Sequence, residues 1–286
     1  VPELPEVHSL AVELGQRLVA QTIDRVDIVS FAALKTFDPP VSALAGQTVR
    51  DVTRHGKFLD IQLGELHLVL HLARAGWIRW RESAPAPAKR PGQGPLAARL
   101  VLPDGSGFDV TEAGTKKSLA IYVVREVLEV PGIARLGPDP LADDFTEERF
   151  LEILAAAGRS QIKGVLRDQS LIAGIGNAYS DETLHTARMS PYKPASMTPA
   201  EASQLYAAMR ETLRGAIERS EGVSASDLKR EKKTAMRVHG RAGEECPVCG
   251  DTVRQVIFAD RTLEYCPSCQ TGGKPLADRV LSRLLK

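Results

Sequence analysis

The chain has 286 residues, 43% of them apolar and 26% charged, with a formal net charge of +1. That length suits two domains with separate cores, and so small a net charge excludes recognition of a polyanion by overall basicity, leaving the distribution of charge to carry any such contact. No apolar run reaches the ~18 residues of a membrane span, and the start lacks a charged segment followed by an apolar one, so a cytoplasmic location without a membrane partner is expected, and the chain is expected to be a monomer.

The chain opens Val1-Pro2-Glu3-Leu4-Pro5-Glu6-Val7. If Val1 stands for an initiator residue that is removed, Pro2 becomes the terminus, and its nitrogen is a secondary amine with a pKa near ~8. An unprotonated amine of this kind attacks electrophilic carbon, and with a sugar C1′ it would give an iminium that makes the neighbouring proton acidic. Glu3 follows at once, a carboxyl placed to protonate a ring oxygen as the sugar opens. The same residues would also serve as a plain helix start, with Pro5 in the first turn and Glu3 and Glu6 at the positive end of the dipole. Val7, Leu10, Ala11, Leu14, Leu18 and Val19 share one helical face, which predicts an amphipathic helix over 5–19.

From residue 22 the pattern changes to short apolar runs at 23–29, 49–52, 58–63, 67–72, 100–102 and 118–124, broken by Gly, Pro and Asp. Strands at that spacing predict an antiparallel sandwich or barrel. In the string RHGKF, Gly56 suits a tight hairpin turn from which Lys57 projects, which taken alone describes a solvated charge. Residues 84–94, rich in Pro and Ala, read as an exposed loop, and PGIARLGPDPLADD at 131–144 reads as an interdomain linker. Helical patterning follows at 146–157, 161–169, 180–186 and 199–218, with Thr198 as a candidate N-cap. The expected division is thus a β-rich domain at 1–130, a linker at 131–145, a helical domain at 146–242, a cysteine cluster at 243–272 and a tail at 273–286.

All four cysteines fall in two C-x2-C pairs, Cys246 with Cys249 and Cys266 with Cys269. In a reducing compartment this spacing points to one tetrahedral Zn2+ ion, with the intervening residues forming a hairpin that carries Arg261 at its tip. Upstream, Lys229, Arg230, Lys232, Lys233, Arg237 and Arg241 face the single acid Glu231, a density that suits a phosphate-facing surface. The stretch DQSLIAGIGNAYSDE brackets Ile175 with Gly174 and Gly176 ahead of Asn177. Backbone NH groups in such a turn could approach an anion, although a helix-hairpin turn capped by Asn177 fits the same residues.

Taken together, PELPEV, HGK, LGPDPL, the DQ…AGIGNAYSDE stretch and RTLEYCPSCQ resemble, in order, the formamidopyrimidine-DNA glycosylase and endonuclease VIII family of base-excision repair enzymes. The resemblance implies an α+β protein: an N-terminal antiparallel β-sandwich with flanking helices, then a helical helix-two-turn-helix domain with a β-hairpin zinc finger. It implies a bifunctional DNA glycosylase and abasic-site lyase acting on double-stranded DNA that contains a damaged base or abasic site. Pro2 would be the Schiff-base nucleophile and Glu3 the acid on the sugar. Lys57 would bind the neighbouring phosphate and assist elimination, while Asn177 and Arg261 would grip flanking phosphates.

Two departures stand out. Where relatives acting on oxidised purines carry Met in an HLGMSG loop, this chain has HLARAG, from His71 to Gly76, so Arg74 would fill the gap left by an extruded base beside His71. Where those relatives carry Asp-Pro-Arg-Arg-Phe, residues 109–118 read DVTEAGTKKS, without the Phe wedge or the Arg pair. Lys116 and Lys117 read there as a solvated loop, and Trp77 and Trp80 as core. Residues 221–236 show no lid pattern, and a short helix is expected in the tail from Leu276 to Leu284. A non-catalytic sensor of abasic or bent DNA, or a glycosylase for bulky or cross-linked bases, are the competing functions.

Overall fold

The computed structural model describes residues 2–83, 94–258 and 261–277. The loop expected at 84–94 lies almost wholly outside the described residues, and so does the tail helix from residue 278 on. The chain divides into two compact units, Val1–Leu136 with Arg219–Glu231, and Gly137–Glu218 with Lys232–Lys286. The boundary thus falls inside the Pro- and Gly-rich segment, and a stretch expected in the helical domain returns to the first unit. Ala225 and Leu228 explain the return: both are buried in the first unit's core, and the Ala225 N–H donates to Glu13 Oε2 at 2.6 Å.

In the first unit, helix α1 (Leu4–Leu18) is followed by β1 (Arg25–Ile28), β2 (Val49–His55), β3 (Phe58–Leu63), β4 (Leu66–His71), β5 (Gly76–Arg81), β6 (Leu96–Val101), β7 (Gly107–Glu112) and β8 (Ala120–Val124). They form two four-stranded antiparallel sheets, ordered β2-β3-β4-β8 and β1-β6-β7-β5. Leu59, Ile61 and Leu70 from one sheet share a core with Ile78, Leu100 and Phe108 from the other, the expected sandwich. Trp77 and Trp80 pack against this core, as their apolar bulk predicts.

Strands β5 and β7 escape the apolar-run criterion because charge alternates with apolar residues along them. Register sets Asp27, Arg99, Asp109 and Arg79 in one row across the sheet. Asp109 is buried and accepts from Arg99 Nε at 2.6 Å and Arg81 Nε at 3.0 Å. Burial alone would raise the Asp109 pKa, but the two guanidiniums outweigh it and hold the carboxyl below its ordinary range. A sheet face built on ion pairs reads as polar sequence.

The β2–β3 turn has only two residues, Gly56 and Lys57, between the paired His55 and Phe58. Gly56 has φ +55°, the first-position conformation of a II′ hairpin, which a side chain would strain. After β4 the chain turns within four residues, and the Gly76 N–H donates to the Leu72 carbonyl at 2.8 Å.

The second unit holds α2 (Glu147–Ala157), α3 (Ile162–Arg167), α4 (Asn177–Thr186), the hairpin β9 (Arg254–Phe258) with β10 (Arg261–Tyr265), and α7 (Pro267–Gln270). Helices α5 (Pro199–Ser220) and α6 (Leu228–Ala235) run across the division between the units. Thr198 does cap α5, in a box where its N–H donates to Glu201 Oε2 at 3.0 Å and its hydroxyl accepts from the Glu201 N–H at 3.4 Å. Helix α6 is unforeseen, because its basic residues mask the periodicity. Among the described residues no helix is long and apolar enough to cross a membrane.

At Gly76 any Cβ would lie 2.2 Å from the Leu72 carbonyl oxygen, and backbone cannot move aside cheaply. Gly76→Ala should therefore lose about 1–3 kcal/mol of stability, read as a lower midpoint in urea unfolding at unchanged slope.

Candidate functional site

The residues expected to act on DNA from the first unit collect at one end of the sandwich. A Cβ at Gly15 would sit 3.9 Å from Val52 Cβ, and the Ala20 N–H donates to the Val49 carbonyl at 2.9 Å, so α1 runs antiparallel to β2. From Gly15 back to Glu3 is about 12 residues of helix, ~18 Å, and from Val52 on to Lys57 is about 5 residues of strand, ~17 Å. The start of α1 and the Lys57 turn are thus level along the sandwich.

The terminus takes the helix-start geometry that its residues allow. Glu3 is the N-cap of α1, its N–H donating to Glu6 Oε2 at 2.7 Å, and Pro2, Glu3 and Glu6 are all buried. Capping by Glu6 fixes the backbone from which Pro2 and the Glu3 carboxyl project.

Lys57 is half-buried rather than a solvated charge. Its hairpin is braced by the buried Asp60, which bonds His67 Nδ1 at 2.9 Å and His55 Nε2 at 3.2 Å. His71, at the end of β4, pairs with Phe58 and places its ring 4.6 Å from that phenyl ring. Burial first, and then the charge of Lys57, pull the His71 pKa down to about 4, so its imidazole is neutral near pH 7 and keeps one acceptor nitrogen.

Arg74 lies exposed on the turn between β4 and β5. That turn is tied to the loop after β7, since the Ala113 N–H donates to the Ala75 carbonyl at 3.2 Å. The buried Glu112 carboxylate accepts from the N–H groups of Ser118 at 2.7 Å and Leu119 at 3.0 Å, folding residues 113–118 into a short exposed loop. Lys116 is exposed there, while Lys117 Nζ turns back to the Glu112 carbonyl.

In the second unit, Asn177 is the first residue of α4 and Gly176, not Asn177, is the N-cap. The Asn177 Nδ2 donates to the Thr262 carbonyl of β10 at 2.8 Å, while its Oδ1 is buried without a hydrogen-bond partner. The anion-turn expectation fails at Gly174, whose N–H already donates to Gln169 Oε1 at 2.9 Å. Arg261 begins β10 next to Thr262, and its side chain lies outside what the structure describes. The basic run also divides. Lys229, Arg230, Lys233 and Arg237 are exposed, but Lys232 is buried with its Nζ 4.5 Å from the Tyr179 ring centre, and Arg241 pairs with Glu244 at 2.7 Å.

A polar cluster on α4 carries no local sequence signal. Asp181 is buried against Lys163 Nζ, which also donates to Ser180 Oγ at 3.0 Å, and against His239 Nδ1 at 2.8 Å. His239 Nδ1 lies 2.9 Å from Glu264 Oε2 as well. Burial lowers the His239 pKa, but its bonds to Asp181 and Glu264 win and lift it to about 9, leaving a cation near pH 7. Although Asp181, His239 and Glu264 sit close enough to ligate an ion, Lys163 and the imidazolium already balance the carboxylates. The adjacent Glu182 accepts from the N–H groups of Arg237, Val238 and His239 at 2.8–2.9 Å, and burial nevertheless pushes its pKa up.

The four cysteine sulfurs lie within 4.8 Å of one another, with Cys246 to Cys269 at 3.9 Å and Cys249 to Cys266 at 3.3 Å. Tetrahedral zinc with Zn–S bonds of ~2.3 Å places sulfurs ~3.8 Å apart, so the set fits. Burial pushes the Cys266 thiol up to about 11 and the Cys269 thiol upward, so without a metal both keep their protons.

Family models match three consecutive stretches: the formamidopyrimidine-DNA glycosylase N-terminal domain at residues 1–111, the formamidopyrimidine-DNA glycosylase H2TH domain at 136–227, and the zinc finger found in FPG and IleRS at 243–272. A formamidopyrimidine-DNA glycosylase of Symbiobacterium thermophilum is 37% identical over 283 residues, which covers 94% of this chain and 89% of that protein. The chain belongs to the formamidopyrimidine-DNA glycosylase family.

An uncharacterized formamidopyrimidine-DNA glycosylase-like protein of Mycobacterium tuberculosis is 54% identical over 152 residues, covering 53% of this chain and 94% of that one. The fold is similar to Lactococcus lactis formamidopyrimidine-DNA glycosylase bound non-covalently to DNA containing an AP site, with TM-score 0.79, 28% identity, and coverage of 94% of this chain and 99% of that one. In this family member the finger holds one structural zinc ion on Cys246, Cys249, Cys266 and Cys269.

Two outcomes test this geometry. The His71 imidazole should titrate near pH 4 by NMR, and Lys57→Ala should raise that midpoint without restoring ~6.5, because burial remains. Zinc binding should release protons, so apparent zinc affinity measured by chelator competition should rise with pH between about 6 and 8.

Proposed function

We propose that this chain is a bifunctional DNA glycosylase and abasic-site lyase, with Pro2 as its nucleophile once nothing precedes it. The observation that carries the reading is the buried, Glu6-capped start of α1, level with the Lys57 hairpin at the end of the sandwich that also bears His71 and Arg74. The substrate is double-stranded DNA with a damaged base or an abasic site. The relative from Lactococcus lactis binds AP-site DNA, which supports that choice.

In the proposed reaction the Pro2 nitrogen bonds to C1′ and the base departs with the electrons of the glycosidic bond. Glu3 delivers a proton to the ring oxygen as the sugar opens, leaving an iminium. The iminium acidifies C2′. Loss of a C2′ proton then expels the 3′-phosphate, which cuts the strand, and water releases Pro2. Lys57 holds the phosphate beside the lesion. A neutral His71 accepts a hydrogen bond, and Arg74 stacks in the space that the extruded base leaves.

On the second unit Asn177 and Arg261 take flanking phosphates. The Asn177 amide gives one N–H to Thr262 and retains a second for a phosphate oxygen. The exposed members of the 229–241 run add non-specific attraction that salt would weaken. Because Glu112 closes residues 113–118 into a short loop without an aromatic wedge, opposite-strand support must come from Arg74 or from the DNA itself. That feature favours lesions whose pairing is already weak.

The test begins with intact-mass analysis to establish protein that starts at Pro2. Borohydride should then trap a covalent complex with abasic DNA. Pro2→Gly should abolish most of the adduct and Lys57→Ala should diminish it, while Glu3→Gln should slow base release by about 10²–10⁴-fold. Protein that begins at Pro2, binds abasic DNA and gives no adduct would leave only a non-catalytic sensor.

A further inference from the structure

Helix α4 meets the zinc centre at its far end through a residue that the cysteine pattern does not include. His185, in the last turn of α4, is 3% exposed, and its Nε2 lies 3.3 Å from Cys246 Sγ, itself 2% exposed. The other ring nitrogen, Nδ1, is buried without a hydrogen-bond partner.

We propose that His185 is a positioning residue of the zinc centre, donating its Nε2–H to the Cys246 thiolate. The direction of the bond follows from the metal. A sulfur bonded to Zn2+ is a thiolate with no proton to give, so the hydrogen must come from the imidazole. A neutral ring has one N–H, which then resides on Nε2, and Nδ1 is left as an unfilled acceptor. The opposite tautomer would bury an orphan N–H on Nδ1 and set a lone pair against a thiolate. A doubly protonated ring would bury the same orphan donor.

The bond has a physical purpose. Four thiolates around Zn2+ carry a net charge of −2, and a sulfur without water needs donors to spread that charge. Cys246 and Cys266 are buried, whereas Cys249 is exposed. His185 therefore serves one of the two buried sulfurs. It also ties the metal to the helix whose first residue, Asn177, bonds Thr262 of the zinc hairpin, so one helix of ~15 Å is fastened to the finger at both ends.

The test uses the full chain with 113Cd in place of zinc and 15N-labelled histidine. The expected result is a His185 ring in the Nε2–H tautomer, with its Hε2 coupled to 113Cd through the sulfur. An Nδ1–H tautomer, or a direct one-bond 113Cd–15N coupling that would make His185 a ligand, overturns the proposal. Chelator competition gives a second readout. His185→Phe should lower zinc affinity by about 10–100-fold, and His185→Gln, whose amide can donate from a similar position, should recover much of it. Unchanged zinc affinity in a folded His185→Phe protein overturns the proposal too. If that variant does not fold, the NMR measurement on the unaltered chain decides.

Discussion

The burial of two adjacent carboxylates on α4 is the constraint around which the second unit is arranged. Asp181 and Glu182 are both nearly inaccessible to water, and a carboxylate in that setting costs several kcal/mol unless donors surround it. The donors come from far along the chain: Lys163 from α3, His239 and the backbone of 237–239 from the segment before the finger. Satisfying the two acids therefore fixes where the chain enters the zinc centre. Glu264, which accepts from the Gly240 N–H at 2.7 Å and faces His239, carries the same network into the hairpin.

In the first unit the corresponding constraint is register. Pairing Phe58 with His71 and Gly76 with Glu112 puts the Lys57 turn, the Arg74 turn and the 113–118 loop at the same end of the two sheets. The antiparallel seating of α1 on β2 brings Pro2 and Glu3 to that level. None of these side chains needs a flexible loop to reach its place. Short turns on strands hold Lys57 and Arg74, and the first turn of α1 holds Pro2 and Glu3.

Legibility differed between residue types for physical reasons. Thiolates recur at fixed spacing because one ion must be surrounded, so Cys246, Cys249, Cys266 and Cys269 could be assigned from spacing alone. Lys57 could be placed on a turn because Gly56 marks it. Strands β5 and β7 are hidden from a search for apolar runs, since Arg79, Arg81 and Asp109 interrupt those runs and the Arg81–Asp109 pair forms only once register is set. The basic run looks uniform in sequence, because a cation buried over Tyr179 is indistinguishable there from one facing solvent.

By itself the sequence determined the family, the α+β fold class and the metal, because each of these is written in local spacing or in motifs in order. Tertiary structure alone decided that Glu182 would gather three backbone N–H groups, that Lys163 and His239 would share Asp181, that residues 219–231 would return to the first unit, and that His185 would meet Cys246. Those facts depend on which distant groups arrive at a buried acid or sulfur. A linear pattern records residue type and interval, but the cost of an unpaired buried charge is settled only when the chain has folded around it.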